Sequence, residues 1–332
     1  ILVTRERIAT LIVSRTAFTS ADRAAIDKTT EGMGFTVFAA PWRQAEDPQM
    51  RAILDARSLD ALLDASADRY FDFTPPSDRR PFFFNLLKPS GFLVREASLS
   101  GGVVGGNLRA TRTLIALAVI AAVLVIAIIG SPLLLTGRPQ TPRGIFGAGL
   151  LYFGIIGFAF MLIQIPFLQR FSVYLGHPTY TFSIILFLMI LSAGLGSVAS
   201  ERIDVNRSQR VGWLPIAIGV GVLLEMVLLQ PAIDATVAWG LPGRTMIVAL
   251  FVAPLAFCLG YCFPVGMRVL GQHSDALTAW MWAVNGACGV MASIVAVMIS
   301  MWIGIHTNLL IAAALYMLLA LPLRTLRARP AS

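Results

Sequence analysis

Glu225 stands inside the apolar run VLLEMVLLQ, where an ionised carboxylate is costly, so it must face other helices, pair with a cation or keep its proton. It reads either as an ion or proton site or as a neutral acid near a membrane interface, because Gln230 and Pro231 follow five residues later. Gln164 and Asn285, the latter in WAVNGACG, are amides in equally apolar runs. They read as hydrogen bonds between helices, worth about 1 kcal/mol or less each in a membrane, or as polar points of a ligand cavity shared with Glu225. Arg268 follows the run Gly260-Tyr261-Cys262-Phe263-Pro264-Val265-Gly266. An Arg in that place either snorkels to the interface as an anchor or forms an anion-binding mouth.

Other chemistries find less support. Asp78-Arg79-Arg80 lies between Pro76 and Pro81, a rigid presentation of charge with no second carboxylate or nucleophile beside it, and so reads as a salt bridge or lipid contact. His177, His273 and His306 fall in three different connections, which gives no metal cluster. Cys258, Cys262 and Cys288 sit in apolar runs without a C-x-x-C pair or a disulfide framework and read as packing residues. No glycine-rich turn joins a strand to a helix, so these residues build no complete nucleotide site and bind no cofactor by themselves. No catalytic, cofactor-binding or metal-ligating residue is assigned from the patterns.

The elements that must position these groups lie in two solvents. The 332 residues are 57% hydrophobic and 13% charged, with a mean hydropathy of +0.75, against roughly 25% charge in a soluble domain, which excludes an ordinary soluble protein. Residues 1–112 hold 15 of the 26 basic and 13 of the 18 acidic residues, and the last 220 hold 11, all Arg, and 5. The net +8 therefore divides as +2 and +6. Arginines scattered between apolar runs suit anionic lipid head groups, whereas nucleic acid calls for a continuous basic stripe that is missing here.

Ala9–Ser14 reads as a buried strand, Ser20 as the N-cap of a polar helix ending near Gly32 or Gly34, and Phe35–Ala39 as a second strand. The opening Ile1-Leu2-Val3-Thr4 also reads as a strand and not as a signal peptide, so the α/β unit is expected to continue upstream of Ile1. Residues 51–65 repeat apolar positions three and four apart, which predicts one amphipathic helix, and Phe71–Leu87, with its prolines and Phe triplet, predicts a loop. Gly101, Gly102, Gly105 and Gly106 predict a flexible junction.

From Thr113 onward the charge-free runs are long enough for membrane helices, which need about 20 residues. Seven spans are expected, at 113–136, 145–168, 178–199, 211–230, 244–267, 277–301 and 305–323, the last two divided at Gly304-Ile305-His306-Thr307-Asn308. Small residues at Ala217 and Gly221, at Gly194, Gly196 and Ser197, and at Ala283, Gly286 and Ala287 predict close helix approach in a compact bundle. The fold class expected is a mainly α membrane protein, a bundle of about seven transmembrane helices preceded by a partial α/β, Rossmann-like segment. The expected parts are 1–87 α/β, 88–112 linker, 113–323 bundle and 324–332 basic tail.

An odd number of spans puts the α/β part and the C-terminus on opposite faces. Nine Arg lie near the C-terminal face, and Arg109, Arg112, Arg170 and Arg244 with Lys88 and Arg95 near the other. The positive-inside rule then leans towards a cytoplasmic tail.

Several runs together resemble one family, the membrane-embedded spermidine synthase-like proteins, also described as fused transporter-like/spermidine synthase proteins. The runs are Pro75-Pro76-Ser77-Asp78-Arg79-Arg80-Pro81-Phe82-Phe83-Phe84, Leu175-Gly176-His177-Pro178-Thr179-Tyr180, Gly194-Leu195-Gly196-Ser197, Phe263-Pro264-Val265-Gly266-Met267-Arg268 and Trp282-Ala283-Val284-Asn285-Gly286. The resemblance implies that residues 1–87 end a Rossmann-like domain similar to aminopropyltransferases and methyltransferases. It further implies decarboxylated S-adenosylmethionine or S-adenosylmethionine as cofactor of the complete protein, and Asp78, Arg80 and His177 as loop-motif positions. Two acidic positions of the family are replaced here, by the single Asp78 before Arg79 and by Gln164. A domain using an adenosyl cofactor belongs on the cytoplasmic side, and this outweighs the lean of the Arg count.

Three readings of function follow. In the first, the chain is the C-terminal portion of an integral membrane protein of the bacterial inner membrane that transfers an aminopropyl or methyl group to an amine, with the bundle as anchor or transport element. In the second, the bundle is a polyamine or small-molecule transporter whose cavity is lined by Gln164, Glu225 and Asn285, and the α/β part is degenerate. In the third, the chain is a non-catalytic scaffold that associates with a second copy or another membrane complex. The lipid bilayer is a partner in all three.

Overall fold

The computed structural model describes residues 1–6, 8–67, 70–77, 80–82, 85–93, 103–135, 137, 141–205, 208–273 and 275–327. They form two units, residues 1–75 with 83–111 and residues 76–82 with 112–332. Asp78, Arg79, Gly101 and Gly102 lie outside the described residues.

In the first unit, β1 (Leu2–Arg5) and β2 (Ile8–Leu11) form an antiparallel hairpin, and β3 (Thr36–Ala39) pairs antiparallel with the other edge of β1. The order β2-β1-β3 makes β2 and β3 parallel, with α1 (Ser20–Gly32) as the crossover between them and β1 inserted in the middle. The strand, helix, strand unit is thus present, but this three-stranded sheet is not by itself a Rossmann-like domain, whose neighbouring strands run parallel. β2 is exposed along its whole length, while Val3, Val37 and Ala39 are buried. A β-branched run signals extended backbone, and only the tertiary structure says whether anything covers it, so the buried strand expected at Ala9–Ser14 is an open edge.

The cap of α1 is Thr19, not Ser20. Its hydroxyl accepts the Asp22 amide at 3.2 Å, while the Asp22 carboxylate accepts the Thr19 amide at 2.8 Å, a reciprocal capping box. These hydrogen bonds from Thr19 hold the Asp22 carboxyl below its usual range. After the helix, Gly34 takes a φ of 70°, where a side chain is disfavoured.

The single helix expected over 51–65 is two, α2 (Pro48–Asp55) and α3 (Leu59–Ala65). Asp47 caps the first and Ser58 the second, each accepting the amide three residues on. The Ser58 cap competes with continued helix, which an apolar periodicity does not register. Among the described residues of 71–87 there are only isolated bridges, Phe71 with Leu87, Ser77 with Arg80 and Asp72 with Ala67, as expected of a loop.

α4 (Val103–Leu135) begins the membrane helices and runs through Gly105 and Gly106, so those two glycines are helical and not a flexible junction. The others are α5 (Arg143–Leu175), α6 (Pro178–Ser200), α7 (Arg210–Thr236), α8 (Leu241–Gly271) and α9 (Asp275–Trp302), followed by α10 (Ile305–Leu318), which continues after Leu319 as α11 (Ala320–Arg327). Among the described residues seven stretches are long and apolar enough to cross a bilayer, matching the seven expected spans, and α5 to α11 pack together as a helical bundle. Gly176, at a φ of 81°, ends α5, and Gly304, at 124°, makes the turn expected between the last two spans.

Helix α5 is the bundle's centre. More than half of its apolar window is buried, against almost none of α4, whose sides are apolar and open. α5 packs chiefly on α9 and α10, and α6 packs chiefly on α8.

Candidate functional site

The helix pairs α6 with α8 and α5 with α9 touch backbone to backbone. A Cβ at Gly196 on α6 would lie 2.0 Å from the Phe257 carbonyl oxygen of α8, and one at Gly260 on α8 would lie 2.1 Å from the Ala193 carbonyl oxygen of α6. On α5, a Cβ at Gly157 would lie 2.3 Å from the Asn285 carbonyl oxygen of α9. Only glycine allows these approaches, the membrane equivalent of a small-residue helix seam. Asn285 adds a hydrogen bond from its Nδ2 to the Phe153 carbonyl at 3.3 Å, which fixes α9 on α5.

With α6 held on α8 and α9 held on α5, a cleft of about 640 Å³ remains, its floor formed by α5 and α8 and its flanks by α6 and α9. Its polar points are Asn285, Ser197, Ser293 and Tyr316, and its lining includes no Asp, Glu, Lys, Arg or His. Tyr316 is only 1% exposed, and its hydroxyl has no hydrogen-bond partner among the described residues. Nearby, the Tyr152 hydroxyl donates to the Cys262 carbonyl at 2.7 Å. The arrangement can hold an uncharged molecule by apolar contact and orient it by a few hydroxyl and amide groups.

The acid expected in this cavity is elsewhere. Glu225 lies on the inner face of α7, 9% exposed, with its Oε2 buried and unpartnered, and the charge that acts on it is Arg170 of α5. Arg170, itself 6% exposed, donates to the Gln230 Oε1 at 2.8 Å, and the Gln230 Nε2 donates to Asp234 at 2.7 Å. Arg244 donates to the Tyr174 carbonyl at 2.7 Å, and the Tyr174 hydroxyl bonds the Thr236 hydroxyl at 2.7 Å. Gln164 is half-buried on α5, one turn beyond Phe160 and Met161, and its side chain makes no hydrogen bond among the described residues. Of the three residues expected to share a cavity, only Asn285 lines the cleft. The sequence places each in a span but does not say which neighbour its face meets.

Arg268 is a clamp. Its guanidinium donates to the carbonyls of Ser200 at 2.6 Å and Ile203 at 3.1 Å, so it neutralises the C-terminal end of α6 and is not free for an anion. His177 caps α6, its Nδ1 accepting the Thr179 amide at 3.3 Å, and its ring lies 4.9 Å from that of Tyr180. The Arg80 amide donates to the Ser77 carbonyl at 2.8 Å in a tight turn. Among the described residues no group of His, Cys, Asp and Glu could hold a metal, and the three cysteines are free.

Sequence reasoning missed Tyr316 and Ser293, took Ser197 only as a small packing residue, and placed Asn308 in a turn, whereas it is fully buried and donates to the Ala296 carbonyl at 2.8 Å and the Ser300 hydroxyl at 2.7 Å. The spacing of Gly286, Gly289 and Ser293, three and four apart, was the legible signal of a small-residue face on α9. The runs that carry the family resemblance sit largely at joints of the bundle: the α5 to α6 turn, the Gly196 contact, the Arg268 clamp and the Asn285 contact.

The first unit has a hollow of about 330 Å³ between α1 and the sheet, lined by Val3, Ile12, Ile26, Met33, Phe35 and threonines. No family model, no curated protein and no solved structure matches this chain.

Proposed function

We propose that the protein is an integral membrane protein of the bacterial inner membrane whose seven-helix bundle binds a small uncharged molecule in the cleft between α6 and α9. The observation that carries this reading is the union of a ligand-sized, uncharged cleft with the side chain of Tyr316 and the amide of Asn285 in its lining. A volume of about 640 Å³ lies within the roughly 300–1,000 Å³ of small-molecule sites. The lack of a carboxylate in the lining argues against a polyamine as the ligand, since a buried ammonium needs an anionic partner.

The test compares wild-type protein with Gly286→Leu, both purified in lipid nanodiscs. Gly286 is part of the cleft's lining and a Cβ there meets nothing within 4 Å, so leucine is the plug chosen to narrow the opening. Mass spectrometry of an organic extract is expected to find a molecule retained by the wild type and lost from the variant. Identical extracts would count against the reading.

The order of the resembling runs supports a second reading, in which this bundle is the membrane part of a spermidine synthase-like transferase. It predicts that the protein binds S-adenosylmethionine or its decarboxylated form in calorimetry, and absence of heat with both would remove it.

A further inference from the structure

We propose that the cleft is entered sideways from the hydrocarbon of the bilayer and takes the single apolar chain of a lipid or lipid-like molecule with a neutral hydrogen-bonding head. This rests on the ligand-binding reading above and adds the source and chemistry of the ligand.

The position along the helices puts the cleft at hydrocarbon depth. From the start of α9 at Asp275, Asn285 and Ser293 lie about 15 and 27 Å along the axis at 1.5 Å per residue, within a hydrocarbon core about 30 Å thick. Gly194 lies about 9 Å in from the matching end of α6 at Ser200. The rim is formed by Gly194 on α6 and by Gly286 and Val290 on α9, all exposed, and α6 and α9 make no extensive contact with each other. The rim continues into Leu195, Val198 and Trp282, exposed apolar side chains suited to lipid. A molecule at this opening has left acyl chains, not water.

Size and chemistry favour a chain over a helix. A helix is 10–12 Å across, so even the length from Asn285 to Ser293, about 12 Å, would need roughly 1,000 Å³, more than the cleft's 640 Å³. A single chain fits, flanked by Phe160, Phe263 and Leu259, while Tyr316, Ser197 and Ser293 bring hydroxyl groups to the lining. The glycines divide by role. Gly196, Gly260 and Gly157 are closed against backbone, whereas Gly194 and Gly286 meet nothing within 4 Å and leave the opening clear.

The experiment uses the full chain in nanodiscs containing a diazirine-bearing fatty acid. On irradiation, cross-links are expected on α8 and α9 residues of the cleft, and Gly194→Leu and Gly286→Leu are each expected to lower them at least five-fold. Neither variant should unfold below the wild-type temperature, because a Cβ at either position meets nothing within 4 Å and a helical glycine is replaced by a better helix former. Cross-links spread evenly over the outer surface, or unchanged in both variants, would overturn the proposal. If the extract test finds a retained molecule that is water-soluble and has no alkyl chain, lateral entry falls and the binding reading stands. If neither test finds a molecule sensitive to the plugs, both fall.

Discussion

Gly196→Ala and Gly194→Ala change the same atoms two residues apart on α6, and the structure gives them opposite signs. At Gly196 the new methyl would lie 2.0 Å from the Phe257 carbonyl oxygen, and ordinary contact begins at about 3.4 Å, so α6 and α8 must separate by roughly 1.4 Å at their crossing. The obstacle is backbone and cannot rotate away, so the cost sits near the upper end of the usual overpacking range, about 3 kcal/mol. Removing a helical glycine returns about 1 kcal/mol, which leaves Gly196→Ala destabilised by about 2 kcal/mol. At Gly194 nothing lies within 4 Å, so only the helix gain remains, about 1 kcal/mol in favour of the variant. The difference of about 3 kcal/mol corresponds to roughly 6–12 °C between the two unfolding midpoints, at 2–4 °C per kcal/mol for a domain of 150–250 residues. Differential scanning fluorimetry of the protein in mild detergent reads this directly. Gly260→Ala should behave like Gly196→Ala, and the double variant should lose less than the sum, because the first displacement makes room for the second. Equal midpoints for Gly194→Ala and Gly196→Ala would refute the backbone contact between α6 and α8.

Other expectations follow from the same structure. Arg170→Leu removes the charge-assisted hydrogen bond to Gln230 and should cost about 1.5–3 kcal/mol; denaturant unfolding tests this, and an unchanged stability would show that the bond contributes nothing. Arg268→Gln removes charge-assisted bonds to Ser200 and Ile203 worth about 1.5–3 kcal/mol each, so amide exchange over 200–205 should accelerate before global unfolding changes. Asp22 has its carboxyl held down in the folded state, so its contribution to α1 is present at neutral pH and is lost as pH falls through that lowered value, below 3.8. Exchange in the first turn of α1, corrected for the intrinsic rate, should lose this acid dependence in Asp22→Asn.

The partners of each polar residue were the least legible part. Glu225, Gln164 and Asn285 were all visible as costly groups in apolar runs, yet they face different neighbours: Arg170, no hydrogen-bonding side chain, and the α5 backbone with the cleft. Arg170 and Arg244 read as interfacial charges, and instead they bond to Gln230 and to the Tyr174 carbonyl within the bundle. In the first unit the strands and α1 were readable from periodicity, but the insertion of β1 between β2 and β3 was not, because pairing joins residues more than thirty positions apart.

Hydrophobic length and charge depletion alone determined that the described residues hold seven helices long and apolar enough to span a membrane, because a bilayer imposes its thickness on every span independently of its neighbours. Which helices touch, and therefore where the cleft lies, was decided only in the tertiary structure. Packing between helices in lipid depends on close van der Waals fit, and the same small residue closes a seam at Gly196 and leaves a space open at Gly194 according to what stands opposite it.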